Sequence, residues 1–122
     1  MKSENQLNQK ISLIEERINT AEEAYANTHN LIETFLISES IDDELNRLVA
    51  LKKIELGNMH KELSILISLS KAVKQHKEVL LLKESTTKKA LEVLETHNDR
   101  YSSFIAGIKA LAVFLENRLK GK

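Results

Sequence analysis

Nine positions near the start of the chain follow one another at steps of 4, 3, 4, 3, 4, 3, 4 and 3: Leu7, Ile11, Ile14, Ile18, Ala21, Tyr25, Thr28, Ile32 and Phe35. A strand repeats every second residue and cannot carry this pattern. A helix with a seam every 3.5 residues must lay that seam along another helix, with coiled-coil-like packing. Thr28 is its one polar member. Nothing downstream forces the chain out of this regime. It has no proline and three glycines, Gly57, Gly107 and Gly121, so the residues that break or weaken helix interiors are almost missing.

The first helix is expected from about residue 4 to 37, which at 1.5 Å per residue is ~50 Å of helix. A connector follows at Ser38-Glu39-Ser40. Ser40 and Asp43 have capping-box spacing, and Asp42, Asp43 and Glu44 suit the positive end of a helix dipole. The second helix is expected over 41–82. Its apolar positions include Ile41, Leu45, Leu48, Val49, Leu51, Ile54, Leu56, Met59, Leu63, Leu66, Leu69, Val73, Leu80 and Leu82. They cover more than one stripe, as expected of a helix touching two neighbours. Lys52, Ser70 and Lys77 interrupt any strict heptad, and a bend is expected near Gly57 or Ser68-Leu69-Ser70. Glu84-Ser85-Thr86-Thr87 supplies a second break. The third helix, 86–120, carries the seam Leu91, Leu94, Asn98, Tyr101, Ile105, Ile108, Ala112, Leu115 and Leu119. A second stripe, His97, Phe104 and Leu111, lies one position behind. Gly121 follows Arg118 and Lys120 as a C-terminal stop.

These elements predict an all-α fold: one domain, residues 1–122, an antiparallel up-down-up bundle of three long helices. The alternative is a pair of helical hairpins dimerising into a bundle, and a four-helix version breaks the second helix in its middle.

The chemistry expected of such a chain is limited. Without cysteine there is no disulfide, thiolate metal site or cysteine nucleophile, which fits a reducing cytoplasm. The N-terminal Met1-Lys2-Ser3-Glu4 is polar, unlike a signal peptide. No apolar run approaches the ~20 residues that span a bilayer. No histidine pair sits at i,i+4, and no glutamate precedes a histidine by three positions, so neither zinc nor carboxylate-bridged metal spacing is present. No phosphate loop or nucleophile elbow occurs. No enzyme activity, metal or cofactor is expected.

Charge is uneven along the neutral chain. Residues 1–44 hold three basic and ten acidic side chains, and residues 45–122 hold fifteen and eight, so the two parts carry −7 and +7. An acidic first helix lying beside basic ones in the same fold accounts for this. Lys71, Lys74, Lys77, Lys88 and Lys89 form a basic strip that could contact phosphates. No aromatic is interleaved for base stacking, and nucleic acid is only the third choice of partner. Thr28 and Asn98 are polar members of the seams, suited to fixing register. They are expected far apart, because the first and third helices run parallel.

Apolar residues remain that clean seams do not require, among them Leu51, Ile65, Leu81 and Val113. Leu80, Leu81, Val113 and Phe114 are the expected partner-binding residues. In size, in lacking cysteine and proline, and in its long-helix layout, the chain resembles the small helical export chaperones of flagellar and related secretion systems. It is also broadly similar to spectrin-type three-helix repeats, although it has no tryptophan, which those repeats usually carry in the first helix. The expectation is a cytoplasmic, non-enzymatic adaptor, escort chaperone or inhibitor that offers an apolar face to another protein's helix, with no membrane partner. A self-assembling coiled-coil subunit, a homodimer in the simplest case, is the alternative.

Overall fold

The heptad seam of the N-terminal segment produces one helix, α1, spanning Lys2–Ile37 in a computed structural model of the chain. The structure describes residues 2–38 and 42–120. The expected capping serine Ser40, the apolar side chains of Ile41 and Leu119, and the stop at Gly121 lie outside the described residues. Every seam residue of α1 from Leu7 to Phe35 is buried except Tyr25, which is half-buried.

The second helix, α2, spans Asp43–Gln75. Asp42 caps it: its side chain accepts a hydrogen bond from the Leu45 backbone N–H at 3.1 Å, satisfying a donor that the first turn leaves without a helical partner. The expected continuous helix to Leu82 is not what forms. The backbone departs from helical geometry at His76, with φ −102° and ψ 17°. A single further turn, α3, spans Lys77–Leu80. The bend thus lies beyond Gly57 and Ser68–Ser70, where it was expected. The last helix, α4, spans Glu84–Lys120. The Thr86 and Thr87 hydroxyls donate to the Leu80 carbonyl at 2.6 and 2.8 Å, and to the Lys83 carbonyl at 2.8 and 3.0 Å. The Leu80 carbonyl is one that the end of α3 leaves without a helical partner, whereas the Lys83 carbonyl also accepts the Thr87 backbone N–H at 3.1 Å. The two threonines therefore end one helix while opening the next.

The direction of each helix follows from its cross-links. Lys10 pairs with Glu95 and Arg17 with Asn98, so α1 and α4 are parallel. Lys53 pairs with Glu33 and Lys74 with Glu15, so α2 runs against α1. This is an all-α, up-down-up bundle of three long helices. No helix among the described residues is long and apolar enough to cross a membrane.

The most extensive interface is α1 against α4, where buried Ala21, Ala24 and Ala90 suit close approach. The seam of α4 is displaced one position from the expected one over part of its length. Ala90, His97 and Leu111 are buried where Leu91, Asn98 and Ala112 were expected, and those three are half-buried. The cause is that α4 faces two helices at once. Its buried arc is wide, and the stripe through His97 and Leu111 lies deeper than the strict 3.5 repeat.

Candidate functional site

The second helix does not divide its apolar residues as a simple core helix would. Leu45, Val49, Leu56, Leu63 and Leu66 point inward and are buried. Leu51, Ile54, Ile65 and Leu69 are 63, 62, 63 and 49% exposed. On a wheel of about 100° per residue, these four share one arc roughly 140° from the buried arc. They form an aliphatic flank along α2, with Asn58, Lys61 and Glu62 between its upper and lower pairs. Scattered exposed aliphatics are common; these four differ in sharing one arc of one helix.

Beside this flank runs a trough between α2 and α4. Its lower part, a groove of about 510 Å³, is lined by Met59 and Glu62 of α2 and by Thr96, Asp99, Arg100, Ser103, Phe104 and Gly107 of α4. Its upper part, about 600 Å³, lies among Glu44, Arg47, Leu48 and Leu51 of α2 and Asn117 and Arg118 of α4. Between the two parts, the Lys52 ammonium sits 5.2 Å from the Phe114 ring centroid, with the Arg118 guanidinium 5.5 Å away, a cation–π bridge across the trough. Leu48, Leu51, Met59 and Phe104 give the trough its apolar lining, with charged residues beside them on both helices.

The same two helices are joined inside the bundle by a polar layer. The Ser70 hydroxyl lies 2.9 Å from His97 Nδ1 and 2.9 Å from the Tyr101 hydroxyl. All three residues are buried. With His97 neutral, Tyr101 can donate to Ser70 and Ser70 to His97, which satisfies the set. Burial, and secondarily the nearby Arg100 charge, holds the His97 pKa below the ordinary histidine value. Burial likewise pushes the Tyr101 phenol up. On the other side of α2, Tyr25 stacks on His60 with centroids 4.1 Å apart and on His29 at 5.7 Å.

The residues singled out from sequence are dispersed. Phe114 stands on the trough rim, whereas Val113 is exposed beside it. Leu80 and Leu81 are half-buried against the core near the start of α4, ~45 Å from Phe114 at 1.5 Å per helical residue. One patch cannot include all four. In the basic strip, Lys74 pairs with Glu15 at 2.8 Å and Lys77 donates to Asn8 at 2.8 Å, both on α1. Lys88 lies 3.9 Å from Glu84 on its own helix. Lys71 and Lys89 are exposed. Thr28 is buried in the seam. Asn98 is half-buried and accepts from Arg17 Nε at 3.1 Å, about three helical turns below Thr28, so the two do not meet.

Sequence reasoning missed Ile54, Leu69, Met59 and Gly107 as surface residues. The readable signal was the shared arc of Leu51, Ile54, Ile65 and Leu69 on a wheel of α2. No protein-family model, curated protein or solved structure matches this chain.

Proposed function

We propose that this chain is a non-enzymatic protein–protein interaction module, an adaptor, escort chaperone or inhibitor, which receives a partner helix on the outer flank of α2 and the adjoining trough. One observation carries the reading: Leu51, Ile54, Ile65 and Leu69 stand exposed on one arc of a helix whose other large apolar residues are buried or half-buried. A partner covering them would remove most of their area from water, at roughly 25 cal/mol per Å² of apolar surface. The open groove floored by Met59 and Phe104 supplies shape beside that area. A reducing, cytoplasmic setting is part of the proposal, supported by the absence of cysteine.

The test compares wild-type bait with an Ile54→Lys/Ile65→Lys variant. Both positions are more than half exposed, so the variant should keep its helical circular dichroism and melting temperature. It should lose a stoichiometric protein that the wild type retains. Identical retention by the two baits would remove α2's flank from consideration.

A further inference from the structure

We infer, granted that the α2 flank is a docking surface, that its occupant is a helix of another protein whose own seam carries carboxylates, laid along α2 as a fourth helix of the bundle.

The spacing on α2 calls for a helix. Arg47, Leu51, Ile54, Asn58, Lys61 and Ile65 follow one another at steps of 4, 3, 4, 3 and 4, and Leu69 continues the line. All of them are exposed. On the helical wheel they fall within about 40° of a common line, across the helix from the buried stripe through Leu56 and Leu63. A line that repeats every 3.5 residues follows a second helix wound against the first. From Leu51 to Leu69 it runs ~27 Å. The second helix of the bundle is thus seamed on two opposite sides, and a helix with apolar residues on two sides touches two sets of neighbours. The bundle supplies one set.

Charge says what the missing helix carries. The charged members of the line, Arg47 and Lys61, are both cations, and neither makes an ion pair among the described residues. No carboxylate stands on the line between Arg47 and Leu69. Glu55 and Glu62 lie to one side, on the edge toward α4, and Glu55 is already paired with Lys52 at 3.1 Å. Asp43 and Glu44 belong to the first turn, where carboxylates answer the helix dipole. An apolar side chain laid over Lys61 would desolvate an unpaired ammonium. A carboxylate at that level pairs with it, and the Asn58 amide, one turn away, can donate to the same group. The partner's seam is therefore apolar opposite Leu51 and Ile54, acidic opposite Asn58 and Lys61, and apolar again opposite Ile65 and Leu69. A second copy of this chain offers the same line back, with no carboxylate on it.

That pattern reads the same in both directions, so a probe needs no assumption about orientation. Two synthetic helical peptides of about 25 residues carry leucine at the outer seam positions and differ only at the central pair, which is Glu in one and Lys in the other. Titrated against the chain by fluorescence anisotropy, the Glu peptide should bind about tenfold more tightly than the Lys peptide, with a gap that narrows in high salt. Lys61→Glu, at an exposed position, should reverse the preference and leave the circular dichroism unchanged. Ile54→Lys/Ile65→Lys should lose both peptides. Equal binding of the two peptides, or a preference that Lys61→Glu does not move, overturns the acidic seam. Sedimentation of the 13.9 kDa chain alone at twice its mass, reverted by Ile65→Lys, gives the line to a second copy and overturns another protein as its occupant. If neither peptide binds while Ile54→Lys/Ile65→Lys still loses a host protein, the acidic seam falls and the docking surface stands. If neither binds and the variant loses nothing, both fall.

Discussion

The α1–α4 pair and α2 are built from similar residues and do opposite things with them. The two parallel helices share the most extensive interface of the bundle and direct their seams inward. The second helix is tied to them by a narrower buried stripe, by the Ser70–His97–Tyr101 layer and by the stack of Tyr25 on His60. Much of its remaining aliphatic surface faces solvent. The same residue type is therefore structural in one region and available in the other, and composition does not distinguish them. Position around the helix does.

The sharpest way to break that comparison is to place the same charge in both regions. Ile108 of α4 is fully buried and Ile65 of α2 is 63% exposed. Ile108→Asp buries an unpaired carboxylate and should cost more than about 4 kcal/mol, enough to unfold most small domains. Ile65→Asp should leave the thermal melt of the monomer within about 0.5 kcal/mol of wild type. Circular dichroism melts of the two variants measure the contrast directly. Equal destabilisation would mean that α2's flank is core.

Much of this contrast was legible in the sequence, and the part that was not has a physical cause. The α1 seam appears in the structure almost residue for residue, because a strict heptad admits one buried face. The break after residue 37 carried a local signal. The depth of His97 relative to Asn98 did not, because both stripes on α4 are apolar enough to be core, and the choice depends on where α2 comes to rest. The kink at His76 has no glycine or proline to announce it. Phe114 was legible as unburied, but the trough beside it depends on the gap between α2 and α4, which one helix's periodicity does not encode.

The polar layer tests how α2 is held. Ser70→Ala removes the hydroxyl bound to both His97 and Tyr101, leaving two buried polar groups short of a partner. The expected cost is about 1–3 kcal/mol in chemical denaturation. Tolerance without loss would mean that water or a rotated side chain replaces the hydroxyl. The pH dependence follows from His97. Its pKa is lowered in the folded chain, chiefly by burial, so on acidification the unfolded chain takes up the proton first, near 6.5. Protonation then favours unfolding. Stability is fully present above about pH 7, falls as pH drops through 6.5, and levels once the folded histidine is protonated too. His97→Gln should flatten that part of the melting-temperature profile relative to wild type. Parallel profiles would place the acid sensitivity elsewhere.

A smaller change sharpens the comparison in the opposite direction. Gly107→Ala replaces the weakest ordinary helix former inside α4, and its methyl meets Met59 at ordinary contact distance. The chain should gain about 0.5–1 kcal/mol of stability, while partner binding in the trough should weaken. Stability and association moving in opposite directions is the signature of a residue kept for the surface. If both rise together, close approach at Gly107 has no part in docking.

The smallest effect belongs to the charges that join the acidic first helix to the basic second. Lys74 reaches Glu15 at 2.8 Å, but both side chains are half exposed or more. Water screens such a pair, and ordering two long side chains opposes it, so Glu15→Gln should cost at most about 0.5 kcal/mol and less in high salt. The pair's value lies in register: opposite signs on α1 and α2 disfavour arrangements in which like charges meet. Reversing the charge with Glu15→Lys places two ammoniums together and should cost more than neutralisation does, with the excess vanishing in molar salt. If Glu15→Gln and Glu15→Lys melt alike at low salt, the −7 and +7 charge of the two parts of the chain does not steer α2 onto α1, and the apolar stripe alone sets how that helix docks.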